Sequence, residues 1–276
     1  MAKKAASSTK KTTSSGAKKS ETTVKTVSAE TTKPATATRR TPLLGKLTST
    51  PLLAGAIAEF IGTFLLTAVI VTQQNQPVAL LFALVGIALV VAGISGAHVN
   101  PAISVASWVT RRITGKRAIF YVVAQFLGAM LAYVIFNAFV SHAPEVSPQM
   151  AAYGQMPAEL FSAAAIPDGK EWVVLFAEFM GVAVLGFAYA SALDKLRDRI
   201  SSAFTMGAGL FIGMVLAGTA ATYIGASVVL NPAASVALQV FKDTTFGWPI
   251  AIYFITPVIA AIIGFTLHDI IRREEA

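Results

Sequence analysis

The chain contains no cysteine, and only three of its 276 residues are histidine. Disulfide bonds, thiolate nucleophiles and cysteine-ligated metal sites are therefore excluded. His98 precedes an Asn-Pro-Ala sequence with no second histidine nearby, and a lone histidine of this kind is more often a hydrogen-bonded loop residue than a metal ligand. Ser95 and Ser227 lie near glycines but not in a nucleophile-elbow sequence. We predict no metal site, no cofactor and no enzymatic activity.

Charge is also scarce, since 13% of the residues are charged and 55% are hydrophobic. Soluble domains typically have about 25% charged residues, and long uncharged apolar runs are typical of membrane spans. Six runs are long enough to cross a bilayer. We place them at 52–72, 78–95, 118–141, 171–192, 202–222 and 248–268.

The formal net charge of +8 belongs to one segment of the chain. Residues 1–46 hold 11 Lys and Arg against Glu21 and Glu30, whereas the remainder holds 11 basic and 12 acidic residues. This stretch of Lys, Ser, Thr and Ala cannot bury enough apolar surface to fold, so we predict a disordered basic tail. It lacks interleaved aromatic residues, which favours anionic lipid headgroups over nucleic acid as its partner.

The distribution of Lys and Arg predicts the orientation. If both ends of the chain lie inside, 20 of these residues fall on inner segments and only Lys170 and Lys242 fall outside. The positive-inside rule then predicts a multi-pass cell-membrane protein with both termini cytoplasmic. Residues 269–276 would form a short cytoplasmic C-terminal tail.

The apolar region consists of two similar halves. Ala58-Glu59-Phe60 in the first span is matched by Ala177-Glu178-Phe179 in the fourth, and each half also contains one Asn-Pro-Ala sequence. Three spans per half is an odd number, so the halves must enter the membrane with opposite polarity, as in transporters with inverted repeats. We place the halves at about 50–141 and 171–268, joined by an outer linker at 142–170.

Each Asn-Pro-Ala sequence opens a short apolar run. Asn is a good helix N-cap and Pro is favoured at the first helical position, so helices start at Pro101-Ala102 and Pro232-Ala233. Runs of about 10 residues, ending near Thr110 and Phe241, span about 15 Å, half of a hydrocarbon core of about 30 Å. The predicted fold is an all-α membrane protein with six transmembrane helices and two re-entrant half-helices.

The half-helices suggest a mechanism. Two N-termini that meet at the midplane each bring about half a positive charge, which repels cations and protons. Asn100 and Asn231 can cap their own helices with the side-chain oxygen, and the amide NH2 of each then remains free to donate to a passing oxygen. Backbone carbonyls upstream would supply acceptors for a single water or polyol molecule on either side of these donors. The carbonyls in question belong to Gly96, Ala97, His98, Ser227, Val228 and Val229.

Glu59 and Glu178 are the acidic residues deep within the spans. The non-helical segments before each Asn-Pro-Ala also lie at membrane depth, where their N–H groups need partners. A buried carboxylate that accepts these bonds would brace the segment. We favour this role over a proton relay, because the two glutamates occupy equivalent positions in the repeats.

At these residues the sequence resembles the aquaporin, or major intrinsic protein, family, and more particularly its aquaglyceroporins. Ser95–Ala102 reads Ser-Gly-Ala-His-Val-Asn-Pro-Ala, and the paired Ala-Glu-Phe spans, the Gln125–Ala129 segment and Pro257 also fit. The resemblance covers about 50–268. It implies a right-handed six-helix bundle with one pore per subunit, usually in a homotetramer and without a cofactor. Asn100 and Asn231 would be the paired pore asparagines, and Glu59 and Glu178 the loop braces.

One position departs from the family pattern. The family usually has Arg directly after the second Asn-Pro-Ala, at a narrow outer filter, and here that residue is Ala234. Counting without gaps from each Asn gives Leu80, Thr219 and Val228 as the other filter candidates, although Gly225–Val228 suggests two extra residues before Asn231. A filter without Arg loses a fixed charge and is expected to be wider.

We therefore predict a passive channel for water, with glycerol, urea and ammonia as candidate uncharged solutes. A coupled secondary transporter or ion channel is an alternative, because inverted repeats and broken helices occur there too. A structural membrane protein is another, with a pore sealed by dewetting at Leu80 and Val228.

Overall fold

The computed structural model describes residues 51–241 and 247–274, so the predicted tail at 1–46 lies outside the described residues. Within those ranges the chain is helical and has no strand. In chain order the helices are α1 Pro51–Thr72, α2 Pro77–Ser95, α3 Pro101–Val109, α4 Gly115–Ser141, α5 Pro148–Ala152, α6 Glu171–Asp194, α7 Arg199–Thr222, α8 Pro232–Ala237, α9 Gly247–Ile250 and α10 Thr256–Glu274. A π-helical turn, Ala251–Ile255, joins α9 and α10 into one span.

Six segments are long and apolar enough to cross a membrane. They are α1, α2, α4, α6, α7 and the continuous segment Gly247–Glu274. Each agrees with a predicted span within three residues, except that the last helix extends to Glu274. The fold class predicted from the sequence is therefore confirmed.

The last helix includes part of the expected C-terminal tail. Residues 269–274 continue α10 instead of leaving it. Two ion pairs hold this end of the helix: Arg112 binds Asp269 through contacts of 2.6 and 3.0 Å, and Arg272 binds Asp194. These partners lie on other elements, so the sequence pattern of the tail alone could not predict them.

The two short helices begin at Pro101 and Pro232, as predicted, but they differ in length. α3 has nine residues, whereas α8 has six, so the expectation of two equal runs is wrong. A residue with left-handed backbone follows each helix, Arg111 with φ 64° and Gln239 with φ 57°. Gln239 comes eight residues after Asn231, whereas Arg111 comes eleven residues after Asn100. The Gln239 side chain also binds the Tyr133 hydroxyl of α4, which fixes the early end of α8.

The long helices pack as an inverted repeat predicts. α1 packs on α4 in the first half as α6 packs on α10 in the second, and α2 contacts α7 across the two halves. Small residues allow the close approach: a Cβ at Gly128 would lie 2.4 Å from Phe60 O, and one at Gly264 would lie 2.3 Å from Ala183 O.

Large apolar side chains cover the outside of the bundle. Phe82, Val90 and Ile119 are each more than 60% exposed on the faces of long helices. An exposed apolar surface of this kind requires lipid or a neighbouring subunit as its surroundings.

Candidate functional site

Asn100 and Asn231 each cap the short helix that follows. Their backbones are extended, and the Asn100 Oδ1 accepts the N–H of Ala102 at 2.9 Å. The Asn231 Oδ1 accepts the N–H of Ala233 at 3.0 Å and that of Ala234 at 3.4 Å. These bonds satisfy N–H groups that have no partner within the helix.

The same two side chains bind each other's loops. The Asn100 Nδ2 donates to Leu230 O at 2.8 Å, and the Asn231 Nδ2 donates to Val99 O at 2.9 Å. This reciprocal pair ties the N-terminal ends of α3 and α8 together. Each side-chain amide carries two hydrogens, so one remains for a further acceptor. The sequence alone leaves both hydrogens of each amide free for a passing oxygen, whereas the structure leaves one on each Asn.

The backbone turns sharply just before each Asn. Val99 has φ 43° and Leu230 has φ 58°, in the left-handed region that branched residues rarely adopt. Strained conformations of this kind persist only where the surroundings hold them, and they cluster at functional sites.

Both buried glutamates bind these strained segments. The Glu59 carboxylate accepts the N–H groups of His98 at 2.9 Å and Val99 at 2.6 Å. The Glu178 carboxylate accepts those of Val229 at 2.6 Å and Leu230 at 3.0 Å. The four bonds have the geometry that the bracing role requires.

Gln125 is a further member of the first brace that the sequence argument did not assign. Its Nε2 lies 2.7 Å from Glu59 Oε2 and 2.8 Å from Ser104 Oγ, linking α4 to α1 and α3. His98 is hydrogen-bonded too, with its Nδ1 3.1 Å from Ser104 Oγ. Gln125 could have been suspected from its position as a polar residue deep within an apolar span.

A small cavity, here called the central cavity, lies between the two asparagines. Its volume is about 10 Å³, close to the lower limit for holding one water molecule, about 10–15 Å³. Apart from Asn100, Asn231 and His98 its walls are largely apolar, and they include Leu66, Leu80, Leu84, Leu185 and Leu210. Such a passage suits molecules that move in single file.

A second space, here called the large cavity, has a volume of about 430 Å³. Its walls include Gly96, Arg112, Arg117 and Asp194. His98 lines both this cavity and the central cavity, so it marks the boundary between them.

The carbonyls predicted as acceptors divide into two groups. Gly96 lines the large cavity and Val229 lines the central cavity. The other four already accept a protein donor: Ala97 O and His98 O bind the Tyr189 hydroxyl, Ser227 O binds the Tyr253 hydroxyl, and Val228 O binds the Asn75 Nδ2. A carbonyl oxygen has two lone pairs, so each keeps one acceptor site.

The filter candidates do not all lie together. Leu80 lines the central cavity, and Val228 and Ala234 are buried. Thr219, however, is exposed. It lies nine residues from Leu210, which puts it on the opposite side of α7 from the cavity. The assignment of Thr219 is therefore wrong, because counting without gaps ignores the longer segment before Asn231. The preceding residue, Gly218, does approach Val228: a Cβ built on it would lie 3.8 Å from Val228 Cγ2.

The linker between the halves crosses the ends of several elements. The N–H of Phe161 binds Val71 O at 2.8 Å, and that of Ala163 binds Leu238 O at 3.0 Å. The N–H of Ala164 binds Ser227 Oγ at 3.0 Å. The linker thus covers the side of the molecule on which Val228 lies.

One group of side chains in the described residues has the composition of a metal site, namely Asp194, His268 and Asp269. Both aspartates are already paired with arginine, Asp269 with Arg112 and Asp194 with Arg272. The two guanidinium groups supply the positive charge that a metal ion would otherwise bring.

The sequence is similar to those of known membrane-channel proteins. The glycerol uptake facilitator protein-like 6 of Lactiplantibacillus plantarum is 31% identical over 233 residues, which cover 79% of this chain and 98% of the relative. The aquaporin PIP2-5 of Oryza sativa subsp. japonica is 33% identical over 187 residues, 67% of this chain and 62% of the relative's length.

A solved structure shows the same fold. The aquaglyceroporin from Plasmodium falciparum superimposes with a TM-score of 0.52 at 18% identity, covering 79% of this chain and 93% of that one. The model of the major intrinsic protein family matches residues 46–268, most of the chain. The chain therefore belongs to the major intrinsic protein family.

Proposed function

We propose that the protein is a passive transmembrane channel for water and small uncharged solutes, with glycerol, urea and ammonia as candidates. The observation that carries the proposal is the pair of capped helix N-termini tied together at one cavity by Asn100 and Asn231. The relatives named an aquaporin and a glycerol uptake facilitator support the same class of substrate.

The two helix N-termini and the two asparagines at the central cavity determine the selectivity. The N-termini of α3 and α8 bring positive potential to the cavity, which opposes the entry of cations and protons. The remaining amide hydrogen of each Asn can donate to the oxygen of a neutral molecule. The apolar walls provide no charged group that would bind a solute tightly, so passage is downhill and independent of a proton gradient.

The filter position directly after Asn231-Pro232-Ala233 supports a wider range of solutes. Ala234 is fully buried and uncharged, and Leu80, Gly218 and Val228 add no charged side chain. Without an arginine, the outer constriction loses a fixed charge and gains volume. We therefore include glycerol among the permeating solutes.

The channel would act in the cell membrane with both termini cytoplasmic, as the distribution of Lys and Arg indicates. The large cavity, lined by Arg112 and Arg117, would then open to the cytoplasm. The exposed apolar helix faces would contact lipid and the neighbouring subunits of a homotetramer.

Stopped-flow light scattering on proteoliposomes tests the proposal. Vesicles with the native protein should shrink faster than empty vesicles in an impermeant osmolyte, and they should re-swell quickly in glycerol. Ala234→Arg should slow glycerol entry at least tenfold, because the added guanidinium narrows the filter and fixes a charge there. A tenfold slower rate corresponds to a barrier raised by about 1.4 kcal/mol. Water flux should stay within a few-fold of native.

Two outcomes would contradict the proposal. Native vesicles that behave like empty ones would indicate a sealed, structural protein. Large ionic currents, or water flux that depends strictly on a proton gradient, would indicate an ion channel or a coupled transporter.

A further inference from the structure

Tyr189 of α6 is hydrogen-bonded to the backbone of His98, the residue that lines both cavities. Its side chain is almost fully buried, at 1% exposure, and it lines the central cavity. Its hydroxyl lies 2.9 Å from Ala97 O and 3.2 Å from His98 O, so a single hydrogen is shared between the two carbonyls.

The inverted repeat shows that this residue breaks a symmetry. Tyr189 follows Glu178 by eleven residues, three helical turns, and Ile70 follows Glu59 by the same number. Ile70 also lines the central cavity. One side of the passage therefore has an aliphatic side chain at a position where the other side has a larger phenol with a hydrogen-bonding group.

The hydroxyl takes one of the two acceptor sites on each of two carbonyls that passing water would use. Ala97 O and His98 O are two of the three acceptors predicted between the large cavity and the asparagines, the third being Gly96 O. His98 is also the residue at which the two cavities meet. Since the central cavity measures only about 10 Å³, a phenol anchored to these carbonyls leaves little room beside it for a file of water molecules.

We propose that Tyr189 is a constriction residue that sets the rate and the size limit of permeation on the large-cavity side. The inference rests on the proposed channel function. In the conformation described above, the hydroxyl holds the ring against Ala97 O and His98 O. Passage requires the side chain to leave these carbonyls for another rotamer, which exposes both to water.

Two variants separate the hydrogen bond from the ring. Tyr189→Phe removes the anchor and keeps the ring, and we expect osmotic water permeability per protein to rise about two- to tenfold, the factor that one released hydrogen bond gives. Tyr189→Ile makes the position equivalent to Ile70 in the other half. We expect this variant to raise water permeability at least as much and to raise glycerol permeability as well.

Tyr133→Phe is the matched control. Tyr133 lies in the membrane span α4, and its hydroxyl binds the Gln239 side chain instead of a carbonyl predicted to accept from water. Among the described residues it lies outside the walls of the central cavity. We expect Tyr133→Phe to leave permeability unchanged. Size-exclusion profiles and melting temperatures of the purified variants, matched to native, show that the changes in flux do not come from unfolding.

The outcomes distinguish this inference from the proposed function. Impermeable native vesicles that become permeable with Tyr189→Ile would support the constriction, as would the graded increases above. Native flux that neither Tyr189 variant raises would overturn the constriction and leave the channel intact. Absence of flux from native protein and from every variant would overturn both.

Discussion

Glu178 illustrates how much one carboxylate does in this structure. It accepts the N–H groups of Val229 and Leu230 at 2.6 and 3.0 Å in a fully buried site. In Glu178→Gln an NH2 group replaces one carboxylate oxygen, which leaves a buried donor without an acceptor at a cost of about 1–3 kcal/mol. We expect the free energy of unfolding to fall by this amount, measured as a lower melting temperature by tryptophan fluorescence in detergent.

Glu159→Gln is the control for that change, because Glu159 is exposed on the linker and its backbone carbonyl, not its carboxylate, accepts the bond from Gln74. Equal melting temperatures for the two variants would show that the Glu178 carboxylate does not brace the segment. The sequence could predict this pair of glutamates, because a charge deep in an apolar span requires a partner. It could not predict which atoms Gln125 and Tyr189 bind, since those contacts depend on how the loops lie against the helices.

At the scale of helices, glycine positions differ in what they do. A Cβ at Gly128 would meet Phe60 O at 2.4 Å and one at Gly264 would meet Ala183 O at 2.3 Å, whereas one at Gly86 of α2 would meet nothing within 4 Å. Gly128→Ala and Gly264→Ala must push helices apart, which typically costs about 1–3 kcal/mol. Gly86→Ala gains helix propensity of about 0.5–1 kcal/mol. We expect the first two variants to melt below native protein and Gly86→Ala at or above it; similar shifts in all three would mean that these backbones are not in close contact.

The half-helices show where sequence reasoning succeeds and where it stops. Their starts could be predicted, because an Asn cap followed by Pro is a local signal that depends on neighbouring residues alone. The end of α8 could not, since the bond from Gln239 to Tyr133 joins residues far apart in the chain. The prediction of Thr219 was wrong for a related reason. Counting back from Asn231 assumes the length of the segment between α7 and Asn231, and that length decides which residue of α7 the count selects.

At the scale of the whole molecule, the inverted repeat determines where the N-termini of the two half-helices lie. Two halves of opposite polarity bring both helix N-termini to one point, so their positive potentials add there instead of cancelling. A repeat of the same polarity would place both half-helices in the same half of the membrane, where their N-termini could not face each other across the midplane. The odd number of spans per half is therefore the sequence feature from which the mechanism follows.

The absence of cysteine allows the orientation to be tested directly, because the native chain gives no background with a thiol reagent. Lys116 is exposed in the first turn of α4, and Ala152 is exposed in the linker helix α5, which follows the other end of α4. With both termini cytoplasmic, a membrane-impermeant maleimide should label Ala152→Cys in intact cells and Lys116→Cys only after lysis. The reverse pattern would place the large cavity and its arginines outside, and the positive-inside argument would be wrong for this protein.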